Sequence, residues 1–130
     1  MLDQTLLEGS MLKKQFWYLG ALIVLPLVAE AMPEGVPGKE INFLLGKIGQ
    51  SNCKFERSGS WYDAATAVDH LKMKLDKAGD RVKTTEDFIQ GVASKSYLSG
   101  KPYHLACPGQ PVMESGVWLN AALKQYRQSH

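Results

Sequence analysis

Apolar and polar positions alternate along the chain with two different periods, and the change of period marks the elements. Ile41, Leu44, Leu45 and Ile48 fall on one face of a helix, which the spacing predicts over 39–50. Asn52–Tyr62 (N-C-K-F-E-R-S-G-S-W-Y) switches to a period of two, with Cys53, Phe55 and Arg57 on one side and Lys54 and Glu56 on the other. Ser58-Gly59 supplies a turn, and Trp61-Tyr62 favours a returning strand, so this stretch predicts a short hairpin. Asp63 stands where a helix N-cap belongs, followed by Ala64, Val68, Leu71, Leu75 and Ala78 at helical spacing up to Gly79. Thr84 with Asp87 has the form of a capping box, and Phe88, Ile89, Val92 and Ala93 form the apolar face of a third helix ending near Ser96. After the turn Gly100-Lys101-Pro102, Tyr103–Cys107 has strand character. Ser115 is placed to cap a last helix carrying Trp118, Leu119, Ala122, Leu123 and Tyr126.

The order α-β-β-α-α-β-α predicts an α+β domain over 39–130: a three-stranded antiparallel sheet, made of the hairpin and one late strand, packed against about four helices. Met32–Gly38 (M-P-E-G-V-P-G) is rich in Pro and Gly and is expected to be a flexible leader ahead of it.

The start of the chain follows a different pattern. Leu19–Ala29 is almost continuously apolar, Lys13 and Lys14 precede it, and Ala29-Glu30-Ala31 follows. A positive segment, a short apolar run and a small-x-small site make a cleavable signal peptide over 1–31. The run is shorter than the roughly 20 residues a membrane span needs, so no span is expected after cleavage. Met1–Ser10 carries Asp3 and Glu8 and no positive charge, which does not suit a signal peptide's first segment. A start at Met11 (M-L-K-K-Q-F-W) does suit it, and 1–10 then reads as an extension of the gene model.

Composition changes the picture at two points. The chain is 45% hydrophobic and 22% charged, with net charge +2, and no basic run is dense enough for nucleic-acid binding. Cys53 and Cys107 are the two cysteines. In an exported chain they are expected to pair, since a domain of this size is marginal without a staple.

Several segments together are distinctive: N-C-K-F-E-R-S-G-S-W-Y, H-L-K-M-K, T-T-E-D-F-I, A-S-K-S-Y-L-S-G-K-P-Y and a Trp-Leu near the end. They resemble the YfeK-like family of small bacterial exported proteins of unknown function, over roughly 40–127. The most distinctive stretch is Ser94–Tyr103, in which Tyr97 stands where the family usually has a small residue. The resemblance implies a Gram-negative periplasmic setting and no particular activity.

Catalytic signatures are sparse. His70 with Ser96 or Ser99 is a candidate base and nucleophile for a small hydrolase, but no G-x-S-x-G elbow accompanies them. Ser51-Asn52-Cys53-Lys54 matches a bare S-x-x-K without its companion boxes, and Ser99-Gly100-Lys101 lacks the rest of a phosphate loop. His70, His104 and His130 have no paired ligand spacing, and the cysteines lack C-x-x-C geometry. Neither a metal nor a cofactor is expected.

One weaker constellation remains. His70 and Lys74 flank the apolar stripe of the second helix. The hairpin offers Arg57, and the Ser94–Tyr103 segment offers Ser96, Lys101 and Tyr103. Together they could hold a carboxylate or sugar, or they could pin loop to helix as a structural network. The leading expectation is a periplasmic, non-enzymatic binding or interaction module for an envelope protein or cell-wall component. The small hydrolase and a structural accessory without ligand are the alternatives. Export predicts that protein recovered from the periplasm begins at Met32. Intact-mass spectrometry checks this, and retention of Leu19–Ala29 in that fraction overturns it.

Overall fold

The computed structural model describes residues 32–130, so the signal peptide and the ten-residue extension expected ahead of them lie outside the described residues. Chain order is α1 (Gly35–Gly49), β1 (Lys54–Arg57), β2 (Ser60–Tyr62), α2 (Ala64–Ala78), α3 (Thr85–Phe88, continued by one π-helical turn Ile89–Ala93), β3 (His104–Ala106), β4 (Met113–Glu114) and α4 (Ser115–Ser129). A single 3-10 turn, Gly79–Arg81, follows α2.

Local chemistry places most of the boundaries. Ser58 and Gly59 both take positive φ, 53° and 85°, the backbone that turns a two-residue hairpin with the strands' own twist. Asp63 Oδ1 accepts from Thr66 N at 2.8 Å to start α2. Thr84 and Asp87 form a reciprocal capping box at α3. Two expectations change. The first helix begins at Gly35 and takes in Gly35–Gly38, the second half of the segment expected as leader, because Pro37 falls in the first turn, where its missing N–H costs nothing. Ser115 does not cap α4: Glu114 is the residue before the helix, and Ser115 is buried as its first residue.

The sheet is antiparallel with order β2-β1-β3-β4. It therefore has four strands where three were expected. The fourth is two residues long, too short to show an alternation, and it forms because Met113 and Glu114 pair with Leu105 and His104 just before α4 begins. Leu105 at the centre is fully buried. The main core lies among the helices, from Ile41, Leu44 and Ile48 of α1, Leu71 and Leu75 of α2, Phe88, Ile89, Val92 and Ala93 of α3 and Leu119, Ala122 and Leu123 of α4.

Two long-range links hold this arrangement. Cys53, just before β1, is disulfide-bonded to Cys107, just after β3, with Cα atoms 4.1 Å apart. Closing a loop across 54 positions is worth about 4 kcal/mol on the chain-entropy model. The second link is ionic. Glu40 of α1 is buried, and Arg127 of α4 grips it with two hydrogen bonds, Nε to Oε2 at 2.7 Å and a terminal nitrogen to Oε1 at 2.8 Å. Thr85 donates to the same carboxylate at 2.6 Å, and Arg127 reaches on to Glu86 at 2.8 Å. A buried carboxylate is tolerated only when its oxygens are this fully engaged.

The Arg127 hydrogen bonds hold the Glu40 carboxyl below its ordinary value of 4.5, outweighing the burial that pushes the other way, with Thr85 assisting. A carboxyl with a depressed folded pKa stabilises fully above its unfolded pKa and loses that contribution as pH falls through the folded value. The melting temperature is therefore expected to drop on acidification below about pH 4.5. Glu40→Gln should cost about 1–3 kcal/mol at neutral pH and flatten that acid limb. Differential scanning calorimetry across pH checks both, and an unchanged acid limb in Glu40→Gln counts against this account.

Candidate functional site

The third helix ends in carbonyls that have no intrahelical donor left. Its last turn is π-helical, and Ser94 Oγ turns back to donate to Ile89 O. Gly116 of α4 presses close here: a Cβ on it would come within 2.8 Å of Ser94 Oγ. Lys74 of α2 supplies the missing donors. Its Nζ donates to Val92 O at 2.6 Å, Lys95 O at 2.9 Å and Tyr103 Oη at 2.9 Å. Those three bonds use every proton of the ammonium, and a cation at a helix carboxyl end is favoured by the helix dipole. Burial lowers the Lys74 pKa to about 8, with the charge of Arg57 adding to it.

Tyr103 is the other fixed point. It is buried, its N–H donates to Ser94 O at 2.8 Å, and its carbonyl accepts from Ser115 N at 2.9 Å. The Lys74 ammonium lies 4.6 Å from its ring centroid. One turn before Lys74, the His70 ring meets the Tyr103 ring edge-on, with centroids 6.3 Å apart. Nε2 of His70 is buried and has no hydrogen-bond partner among the described residues. Burial lowers the His70 pKa, and Arg57, Lys74 and Lys77 push the same way. The imidazole is therefore neutral at neutral pH.

His70 lines a narrow pocket of about 40 Å³ between the hairpin, α2 and α4. Phe55, Tyr62, Leu71, Tyr103 and Trp118 form its apolar walls, while Arg57 and Glu56 contribute charge. The Arg57 guanidinium lies 5.1 Å over the Tyr62 ring. Glu56 faces His104 across the sheet, with Nδ1 and Oε1 2.8 Å apart, and its other oxygen accepts from Gly59 N at 2.7 Å. The Gly59 N–H, and after it His104, holds the Glu56 carboxyl below its ordinary pKa.

The six residues anticipated from sequence thus separate. Arg57, His70 and Tyr103 share the pocket, and Lys74 bonds to Tyr103 beside it. Ser96 and Lys101 belong to the loop that follows α3, where Ser96 N donates to Lys101 O at 2.9 Å. Ser96 Oγ accepts from Ser99 N, and Ser99 Oγ from Lys101 N. Among the described residues no hydrogen bond joins His70 to either serine, and no group of three or more His, Cys, Asp or Glu is placed to hold a metal. Glu56 with His104 went unnoticed in the sequence, since their pairing depends on a register between strands 48 positions apart.

A disulfide-linked α+β domain with a four-stranded antiparallel sheet and a small apolar pocket is the class that fold and site define. The chain belongs to the family of unknown function DUF5329, whose profile matches residues 36–127. It is 37% identical over 82 residues to the uncharacterized protein YfeK of Salmonella typhimurium, an alignment covering 62% of this chain and 68% of that protein. No solved structure matches it.

Lys74→Met keeps the side chain's length and removes its donors, stranding Val92 O, Lys95 O and the Tyr103 hydroxyl. It is expected to cost about 1–3 kcal/mol and to raise amide exchange in the loop after α3. Denaturant unfolding and hydrogen exchange read the two effects, and a variant as stable and as protected as the parent contradicts the assignment.

Proposed function

We propose that this protein is an exported, non-enzymatic binding module of the cell envelope. Its pocket between hairpin, α2 and α4 takes a small alkyl group attached to a carboxylate. The observation that carries this reading is the buried His70 Nε2, a polar atom that among the described residues has no protein partner, set in a pocket walled mainly by apolar side chains. A buried polar group left unpaired costs about 1–3 kcal/mol, which a ligand able to hydrogen-bond to it would recover. The Arg57 guanidinium at the same pocket suits a carboxylate. A pocket of about 40 Å³ admits a methyl-sized group and leaves no room for a sugar ring. The terminus of a cell-wall peptide has this chemistry, a small side chain next to a free carboxylate.

The Cys53–Cys107 disulfide supports an oxidising compartment. Among the described residues no helix is long and apolar enough to cross a membrane. The hydrolase alternative has less support, because the Ser96 and Ser99 hydroxyls accept backbone N–H groups of their own loop.

The test is an NMR titration of the chain from Met32 with N-acetyl-alanyl-alanine, as the free acid and as the amide. The acid is expected to shift the His70 ring and Trp118 indole signals saturably, and Arg57→Gln to weaken it about tenfold. Equal shifts with the amide, or none with the acid, overturn the reading.

A further inference from the structure

The loop between α3 and β3 presents two apolar side chains to water. Tyr97 is 75% exposed and Leu98 93% exposed. Such exposure usually marks slack, yet this loop is closed by its own bonds. Lys95 and Pro102 form a bridge pair at its base. Ser96 N donates to Lys101 O, and Gly100 N donates to Ser96 O, both at 2.9 Å. Gly100 takes φ 71°, a conformation that suits glycine. The Ser96 and Ser99 hydroxyls accept two further backbone N–H groups. Lys74 fastens the base from below through Lys95 O. The backbone is therefore ordered in a shape that holds Leu98 outward, and its ordering entropy is not a cost of binding.

The surroundings are cationic. A groove of about 620 Å³ runs beside the loop and is lined by Lys74, Lys77, Arg81, Lys95 and Tyr97. The Arg81 guanidinium lies 5.8 Å over the Tyr97 ring. Among the described residues Asp87 is the one carboxylate in the lining, and it already accepts from the backbone N–H groups of Lys83 and Thr84. The groove's unmatched charge is positive.

We propose that this loop and groove dock the protein on an anionic phospholipid surface. Leu98 enters the acyl boundary, Tyr97 sits at the headgroup level, and the Lys77, Arg81 and Lys95 side chains take lipid phosphates. Convexity decides for lipid over a folded partner. A projecting leucine needs a receiving cavity on a protein but none on a deformable bilayer, and an aromatic and an aliphatic residue ringed by cations match the headgroup boundary in polarity and charge.

The described residues 32–130 fall in one compact unit that contains the hydrophobic core cluster and the disulfide, so the chain from Met32 is the material to test. It is floated with vesicles of phosphatidylglycerol in phosphatidylcholine and with vesicles of phosphatidylcholine alone. Recovery with the anionic vesicles only, weakened by added salt, is the expected result. Leu98→Ser should lower partitioning about tenfold, and Lys77→Gln and Lys95→Gln about fivefold each. All three side chains are exposed, so melting temperatures should match the parent. Equal recovery on both vesicle types overturns the proposal, as does a Leu98→Ser protein that binds like the parent. Competition by inorganic phosphate at constant ionic strength also overturns it, because it marks a site for a free anion.

Discussion

The arrangement around both candidate surfaces turns on one ammonium group. Lys74 stands where the second helix passes the carboxyl end of the third, and its three hydrogen bonds reach the helix end, the following loop and the tyrosine ahead of β3. Tyr103 in turn forms one wall of the pocket, and Lys95 forms the base of the exposed loop. A half-buried cation is costly to desolvate, and only a full set of oxygen acceptors offsets that cost. The π-helical turn matters for the same reason: the helix ends by presenting carbonyls to a side chain instead of to water.

Much of the fold was legible because helices announce themselves by period. Val68, Leu71 and Leu75 repeat at helical spacing, and Phe88, Ile89 and Val92 do so after a capping box that is visible in four residues. The hairpin was legible because Ser58-Gly59 is a local signal and the disulfide because two cysteines have one pairing. Elements of two residues have no period, so β4 was not foreseen. Glu40 was missed for a related reason. It directly precedes Ile41 in Gly38-Lys39-Glu40, a polar stretch that looks like the solvated start of a helix. Its burial depends on Arg127, 87 positions away, which no local pattern connects to it.

The candidate site was partly legible. Placing His70 and Lys74 on the flank of an apolar stripe put them within reach of a neighbouring element, and Tyr103 is that neighbour. What the sequence could not convey was the division of labour. Lys74 is fully bonded to protein, while His70 keeps a nitrogen without a partner among the described residues. Side chains with the same helical address differ in role because one is long enough to reach the carbonyls of α3 and the other ends among aromatic rings.

The covalent ring drawn by Cys53 and Cys107 encloses the sheet's first three strands, α2, α3 and the exposed loop, and leaves α1 and α4 outside it. Those two outer helices are joined to each other by the Glu40–Arg127 fork. A pull applied to the two ends of the domain would load that fork first, and the ring would come under tension only after both helices had peeled away. The domain is thus built like a parcel with a sewn centre and a tied wrapping, able to shed its outer layer under force while the interior segment stays closed by its own thread.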